Sequence, residues 1–267
     1  MTYDTILYEV ADRIATITFN RPHRYNAINE QMAKELTDAY GRAERDDDVW
    51  TLIVTATGKA FCTGADVEKI PEDGRVPHEG RYLSDYREWE APQEATPPFR
   101  TMAKPIVVAV NGICCGAGMD LVTTGDISIA AEDATFFDPH VSIGLVAGRE
   151  MVRVARTLPI NVAMRMALLG KHERLSAQRA YDLGLITEVV ASDELGKRAR
   201  ELAETVNRNA PLAVRGTRLA IRKGLGLPLY EAEILAEAFR ERVLHTEDSL
   251  EGPRAFLEKR EPKWLCQ

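Results

Sequence analysis

Two mostly apolar runs, Trp50 to Ala56 and Ile106 to Val110, each pass straight into a turn of small residues. Both read as buried strands, and a third, Ile127 to Ala130, follows after a short helical stretch. Strands that alternate with helices in this way predict a parallel sheet with crossover connections. Ahead of them, Ile6–Val10 and Ile14–Phe19 alternate like a hairpin joined at Ala11-Asp12-Arg13, and Asn20-Arg21-Pro22 breaks the second strand. Met32, Leu36, Ala39, Tyr40 and Ala43 then recur at helical spacing behind a possible N-cap at Asn29.

Beyond Arg149 the chain turns mostly helical. Helices are expected over 149–158, 161–169, 176–183, 193–207, 213–223, 229–244 and 249–259, interrupted only by a short strand at Thr187–Val190. Pro71 to Pro98 differs from both parts: five prolines and mixed charges flank Tyr82, Tyr86 and Trp89, a composition expected of a flap over a ligand. We therefore divide the 267 residues into an α/β core, 1–195, and a helical C-terminal region, 196–267.

The charge balance excludes one class of partner. The chain has 41 acidic residues against 34 lysines and arginines, a net charge of −7, which argues against generic nucleic-acid binding through clustered positive charge. Any polyanionic ligand would have to be held by local donors. Cys62, Cys114, Cys115 and Cys266 form no CxxC pattern, so free thiols in a reducing compartment are expected. With Asp4 and Glu9, the first ten residues read as a strand rather than a leader, and no apolar stretch approaches the ~20 residues of a membrane span. A cytoplasmic protein that does not enter a membrane is the expectation.

Three segments carry chemistry. In Gly58–Asp66, a turn of small residues between strand and helix exposes backbone N–H groups of the kind that hold an oxyanion. Asn111–Leu121 repeats the arrangement, with Gly116-Ala117-Gly118 opening a helix and Asp120 in its first turn. A dinucleotide fingerprint there would need glycine where Leu121 stands. The third segment, Thr135–Leu145, places Asp138 and His140 either side of a proline, either as an acid–base pair or as a histidine satisfied by its neighbour. No GxSxG elbow surrounds Ser142, and the five histidines show no metal-ligand spacing, so no metal is expected. Asp126 reads as a structural hydrogen-bond acceptor.

Together these segments resemble the crotonase (enoyl-CoA hydratase/isomerase) superfamily. The resemblance runs through Asn20-Arg21-Pro22, Asn26-Ala27-Ile28, Phe61–Asp66, Lys104-Pro105, Asn111-Gly112 and Gly116-Ala117-Gly118. It continues through Ala177, Ala180 and Gly184-Leu185-Ile186 to Phe256–Arg260. It implies a spiral of ββα units with a helical C-terminal trimerisation region, a homotrimer or dimer of trimers, and an acyl-CoA thioester as substrate. Coenzyme A would enter as part of that substrate, with no separate cofactor.

Residue by residue, the resemblance puts the oxyanion donors on the amides of Ala65 and Ala117. It puts coenzyme A along His23, Arg24, Thr63, Gly64, Asp66, Val67 and Gly116, with Lys259 reaching a neighbouring subunit's phosphate. The two glutamates of the family's hydratases fall on Asp120 and His140, with Asp138 behind the histidine. Hydration of a 2-trans-enoyl-CoA is the activity implied. Double-bond isomerisation, thioester hydrolysis and acyl-CoA binding without turnover are the alternatives. A dehalogenase would need a carboxylate in the loop after His140, where only Glu150 is acidic.

Overall fold

The computed structural model describes residues 2–66 and 102–267. The expected flap at 71–98, with Tyr82, Tyr86 and Trp89, lies outside them, as do Val67 and Phe99.

β1 (Ile6–Ala11) and β2 (Ile14–Phe19) form the expected antiparallel hairpin. Its two loop residues, Asp12 and Arg13, both have left-handed φ, +51° and +64°, the pattern of a type I′ turn that suits the twist of the strands. α1 (Glu30–Arg45) is capped by Asn29, whose side chain accepts from the Met32 amide. At its other end the buried Lys104 ammonium donates to the carbonyls of Ala43 and Asp46.

β3 (Thr51–Ala56), β5 (Ile106–Val110), β7 (Ile127–Ala131) and β10 (Glu188–Val190) add to β2 in parallel, giving a six-stranded sheet in the order β1-β2-β3-β5-β7-β10. The inner strands β3 and β5 look mostly apolar because both faces are covered. Ala15, Ile17, Leu52, Val54, Val108 and Val110 enter one core cluster. Ile14, Ile53, Val107, Ala109 and Ile129 enter a second with Leu195, Ala199 and Ala203 of α6 (Leu195–Asn207). The division expected at residue 195 thus falls where α6 begins, and α6 itself packs on the sheet.

A second sheet corrects the reading of the small-residue turns. The segments after β3 and β5 do not pass straight into turn and helix. β4 (Ala60–Cys62) and β6 (Ile113–Cys115) intervene, and with β8 (Thr135–Phe137) and β9 (Leu175–Ser176) they build a four-stranded sheet in the order β4-β6-β8-β9. Strands of two or three residues are too short to show a period of two, which is why sequence pattern missed them. Each long strand is therefore paired in sequence with a short one: β3 with β4, β5 with β6, β7 with β8. β4, β6 and β8 run into the three candidate segments, and α2 (Ala117–Thr124) completes one ββα unit.

Helices α3 (Arg149–Thr157), α4 (Ile160–Leu169) and α5 (Ala177–Asp182) follow the third pair, and α7 (Pro211–Gly224), α8 (Leu229–Leu244) and α9 (Glu247–Glu258) end the chain. Their bounds, and those of α6, lie within two residues of expectation. Asp126 is the acceptor it was read to be: it takes hydrogen bonds from the Ile106 amide and from Arg218 and Arg222 of α7. Arg222 also donates to the carbonyls of Thr123, Thr124 and Gly125, capping α2 and complementing the negative end of its dipole. No helix among the described residues is long and apolar enough to cross a membrane.

Candidate active site

The two small-residue turns face each other. Gly64 and Gly116 both have positive φ, +93° and +54°, and a Cβ on Gly116 would stand 3.2 Å from the Gly64 Cα. Only glycine allows both the backbone conformation and the approach.

The turn at 63–66 is held from outside. Ile28 and Ala65 form a parallel bridge: the Ile28 amide donates to Gly64 O at 2.8 Å, and the Asp66 amide to Ile28 O at 2.9 Å. These bonds bracket Ala65, whose own N–H therefore points away from Ile28. Ala117 is the first residue of α2, where an amide has no intrahelical acceptor, and its capping residue Gly116 offers no side chain. A Cβ built on Gly64 would lie 3.7 Å from Ala117 N, so the second amide sits against the first turn. Two main-chain donors are thus brought together by elements 52 residues apart in sequence, 117 − 65.

Sequence reading missed what keeps this loop in place. Asn26, fully buried and left-handed at φ +55°, donates to the carbonyls of Thr57 and Ala60 and accepts from the Arg21 amide. Arg21 donates to Ala27 O and pairs with Asp66 at 2.8 Å, while Arg24 reaches the other Asp66 oxygen at 3.3 Å. The Asp66 side chain is 8% exposed, so it anchors the arginines. Of the two, Arg24 is the more exposed, and His23 stands exposed beside it in the single 3-10 turn Pro22–Arg24. The Thr63 hydroxyl donates to Tyr25 O across the same edge.

His140 begins a 3-10 turn directly after β8. Its Nδ1 lies 2.9 Å from both oxygens of Asp138, whose fully buried carboxylate also accepts the His140 amide. That hydrogen bond raises the imidazole's pKa, against the opposing effect of partial burial and with help from the charges of Asp138 and Glu150. With Nδ1 fixed, Nε2 is the nitrogen left for chemistry. The ring borders the Gly116 turn, since a Cβ there would stand 3.8 Å from His140 Cε1.

Asp120 lies in the first turn of α2, almost wholly buried. Its Oδ1 is 3.3 Å from Nε of Arg153 on α3, a partner no sequence pattern announced. Cys62, Cys114 and Cys115 pack beneath the turns, and burial pushes the Cys62 and Cys115 thiols up to about 12, so they are inert packing groups.

The structure therefore brings together Thr63, Gly64, Ala65, Asp66, Gly116, Ala117, Asp120, Asp138 and His140, with His23 and Arg24 on the neighbouring edge. Lys259 is placed elsewhere. It closes α9 in the left-handed conformation, exposed, with its amide on the carbonyls of Ala255 and Phe256.

A family model described as enoyl-CoA hydratase/isomerase matches residues 9–267. The chain is 33% identical to the (E)-benzylidenesuccinyl-CoA hydratase of Thauera aromatica, over 96% of this chain and 97% of that protein. It is 30% identical to the short-chain-enoyl-CoA hydratase of Clostridium acetobutylicum, over 97% of each. Among solved structures, an enoyl-CoA hydratase/isomerase from Mycobacterium paratuberculosis superposes with a TM-score of 0.91, at 69% identity over all of both chains.

Proposed function

The chain belongs to the enoyl-CoA hydratase/isomerase family, and on that premise we propose that it adds water across the double bond of a 2-trans-enoyl-CoA through Asp120 and His140. The observation that carries this reading is the Asp138–His140 pair, set against the turn that presents the Ala117 amide.

The thioester carbonyl would accept from the amides of Ala65 and Ala117. As water oxygen bonds to the β-carbon, the Asp120 carboxylate takes a proton from it and the electron pair of the double bond moves onto the thioester oxygen. The two amides stabilise that enolate, and a donor so placed is worth about 3–4 kcal/mol in the transition state. His140, as imidazolium on Nε2, then protonates the α-carbon, and the proton left on Asp120 returns to the histidine through solvent. Asp138 suits His140 to the acid's role by favouring its protonated form.

Coenzyme A would lie along the edge formed by His23, Arg24, Thr63 and Gly64, with no separate cofactor or metal. We read the assembly as a trimer or dimer of trimers. Phe256 and Leu257 on α9, 82% and 81% exposed beside Lys259, support a face covered by another copy.

The test is spectroscopic. Purified protein with crotonyl-CoA should bleach the conjugated thioester absorbance and yield the 3-hydroxyacyl product. His140→Ala should lower kcat by about 10²–10⁴-fold. Hydration at an unchanged rate in both His140→Ala and Asp120→Ala would overturn the assignment.

A further inference from the structure

The last turn of α2 has every carbonyl taken. Leu121 O accepts from the Gly125 amide at 2.8 Å, and Val122 O from the Ser128 hydroxyl at 2.8 Å. Thr123 O and Thr124 O both accept from Arg222 of α7, at 3.3 and 2.8 Å, and Arg222 donates to Gly125 O as well. The opposite end of the same helix begins at Ala117 and carries Asp120 in its first turn.

Arg222 is itself held in place. Its Nε donates to one oxygen of Asp126 at 3.1 Å, while Nε of Arg218, one turn earlier on α7, meets the other at 2.6 Å. That second oxygen also accepts the Ile106 amide at 2.8 Å, which ties the group to β5. Arg218, its side chain 7% exposed, donates in turn to Met102 O. Water could satisfy the carbonyls of a helix end as well. A guanidinium seated on a carboxylate adds direction, because one planar fork spans Asp126 and three carbonyls at once.

α2 has little slack along its length. A Cβ on Gly125 would lie 2.5 Å from Val108 Cγ2, and one on Gly118 2.6 Å from Cys62 O. Its eight residues rise only about 12 Å, so a group that fixes the last turn also bears on the first.

We propose that Arg222 is a positioning residue for the reaction: from α7 it sets α2 lengthwise, and through α2 the place of the Ala117 amide. The proposal rests on the reading given above, in which that amide meets the thioester carbonyl. It gives the helical C-terminal region a hold on the site through a contact outside it.

Butyryl-CoA, isotopically labelled at its carbonyl carbon, tests this because it has no double bond to hydrate. Bound to the full-length protein, its carbonyl stretch should move to lower frequency as the two amides polarise it. Arg222→Met should lose most of that downshift with butyryl-CoA still bound, at a temperature where the variant is folded. With crotonyl-CoA, its kcat should fall roughly tenfold while KM stays within about threefold, the signature of a donor displaced by less than an ångström. Arg222→Lys keeps the charge but cannot span Asp126 and the carbonyls together, so it should fall between parent and Arg222→Met. An unchanged downshift in folded Arg222→Met, whatever its kcat, would overturn the proposal and leave hydration standing. A parent protein that binds butyryl-CoA without any downshift would overturn the oxyanion reading and this proposal with it. If the downshift is present and lost in Arg222→Met but crotonyl-CoA is not hydrated, hydration fails and the role of Arg222 stands. Should Arg222→Met fail to fold, Arg222→Lys decides: a partial downshift upholds the proposal and the parent's full downshift rejects it.

Discussion

One half of the site is made of main chain and the other of side chains, and the two halves obey different rules. The turns at 63–66 and 116–118 deliver Ala65 and Ala117 amides whose placement depends on glycines, the Ile28 bridge and the capping of α2. At Asp120 and His140 the proposed reagent is the side chain itself, with Arg153 beside the first and Asp138 holding the second. The main-chain half should be sensitive to added bulk and indifferent to side-chain identity. The side-chain half should be the reverse.

The sharpest way to break the comparison is at Gly118. A Cβ there would lie 2.6 Å from Cys62 O, a main-chain atom of β4, so Gly118→Ala must push α2 away from the strand that leads into the facing turn. Overpacking of this kind costs about 1–3 kcal/mol of stability. The larger effect falls on chemistry, because misplacing a donor by ~1 Å is worth on the order of a hundredfold in rate. We expect kcat/KM for an enoyl-CoA to drop by about that factor with only a modest fall in Tm. A variant as active as the parent would show that the turn is not what aligns the Ala117 amide.

Asp138→Asn addresses the other half. As the proposed proton donor, His140 is fully charged well below its raised pKa, and activity should be lost as pH rises through that value. Replacing the carboxylate removes the largest cause of the elevation. The alkaline limb of the kcat profile should therefore move to lower pH, with kcat at neutral pH falling by roughly tenfold. An unmoved limb would detach Asp138 from His140's titration.

Legibility in the sequence followed the same division. The hairpin, the buried strands and the capping of α1 were readable because each has a period or a punctuation mark long enough to recognise. β4, β6 and β8 have three residues each and no such period, so the second sheet was invisible to pattern and entered only through the resemblance. The candidate segments were legible because glycines and paired polar residues stand out. Their supports were not, because Asn26, Arg21 and Arg153 gain their meaning from partners far away: Asn26 holds Thr57 and Ala60, Arg21 meets Asp66, and Arg153 reaches 33 residues back to Asp120, 153 − 120. Only folding makes those distances short.

The smallest effect is expected where the reacting group is nearest, and that makes it informative. Ala117 contributes an amide whose direction is set by Gly116 and by the first turn of α2. Serine at this position keeps the amide, fits the helix at a propensity cost of about half a kcal/mol, and adds one hydroxyl. Ala117→Ser should hold kcat within about threefold of the parent, a small fraction of the loss that removing an oxyanion donor outright would cause. If kcat instead falls a hundredfold while the protein melts normally, the methyl group of Ala117 is shaping the site. The boundary between a main-chain half and a side-chain half would then have to be redrawn at that residue.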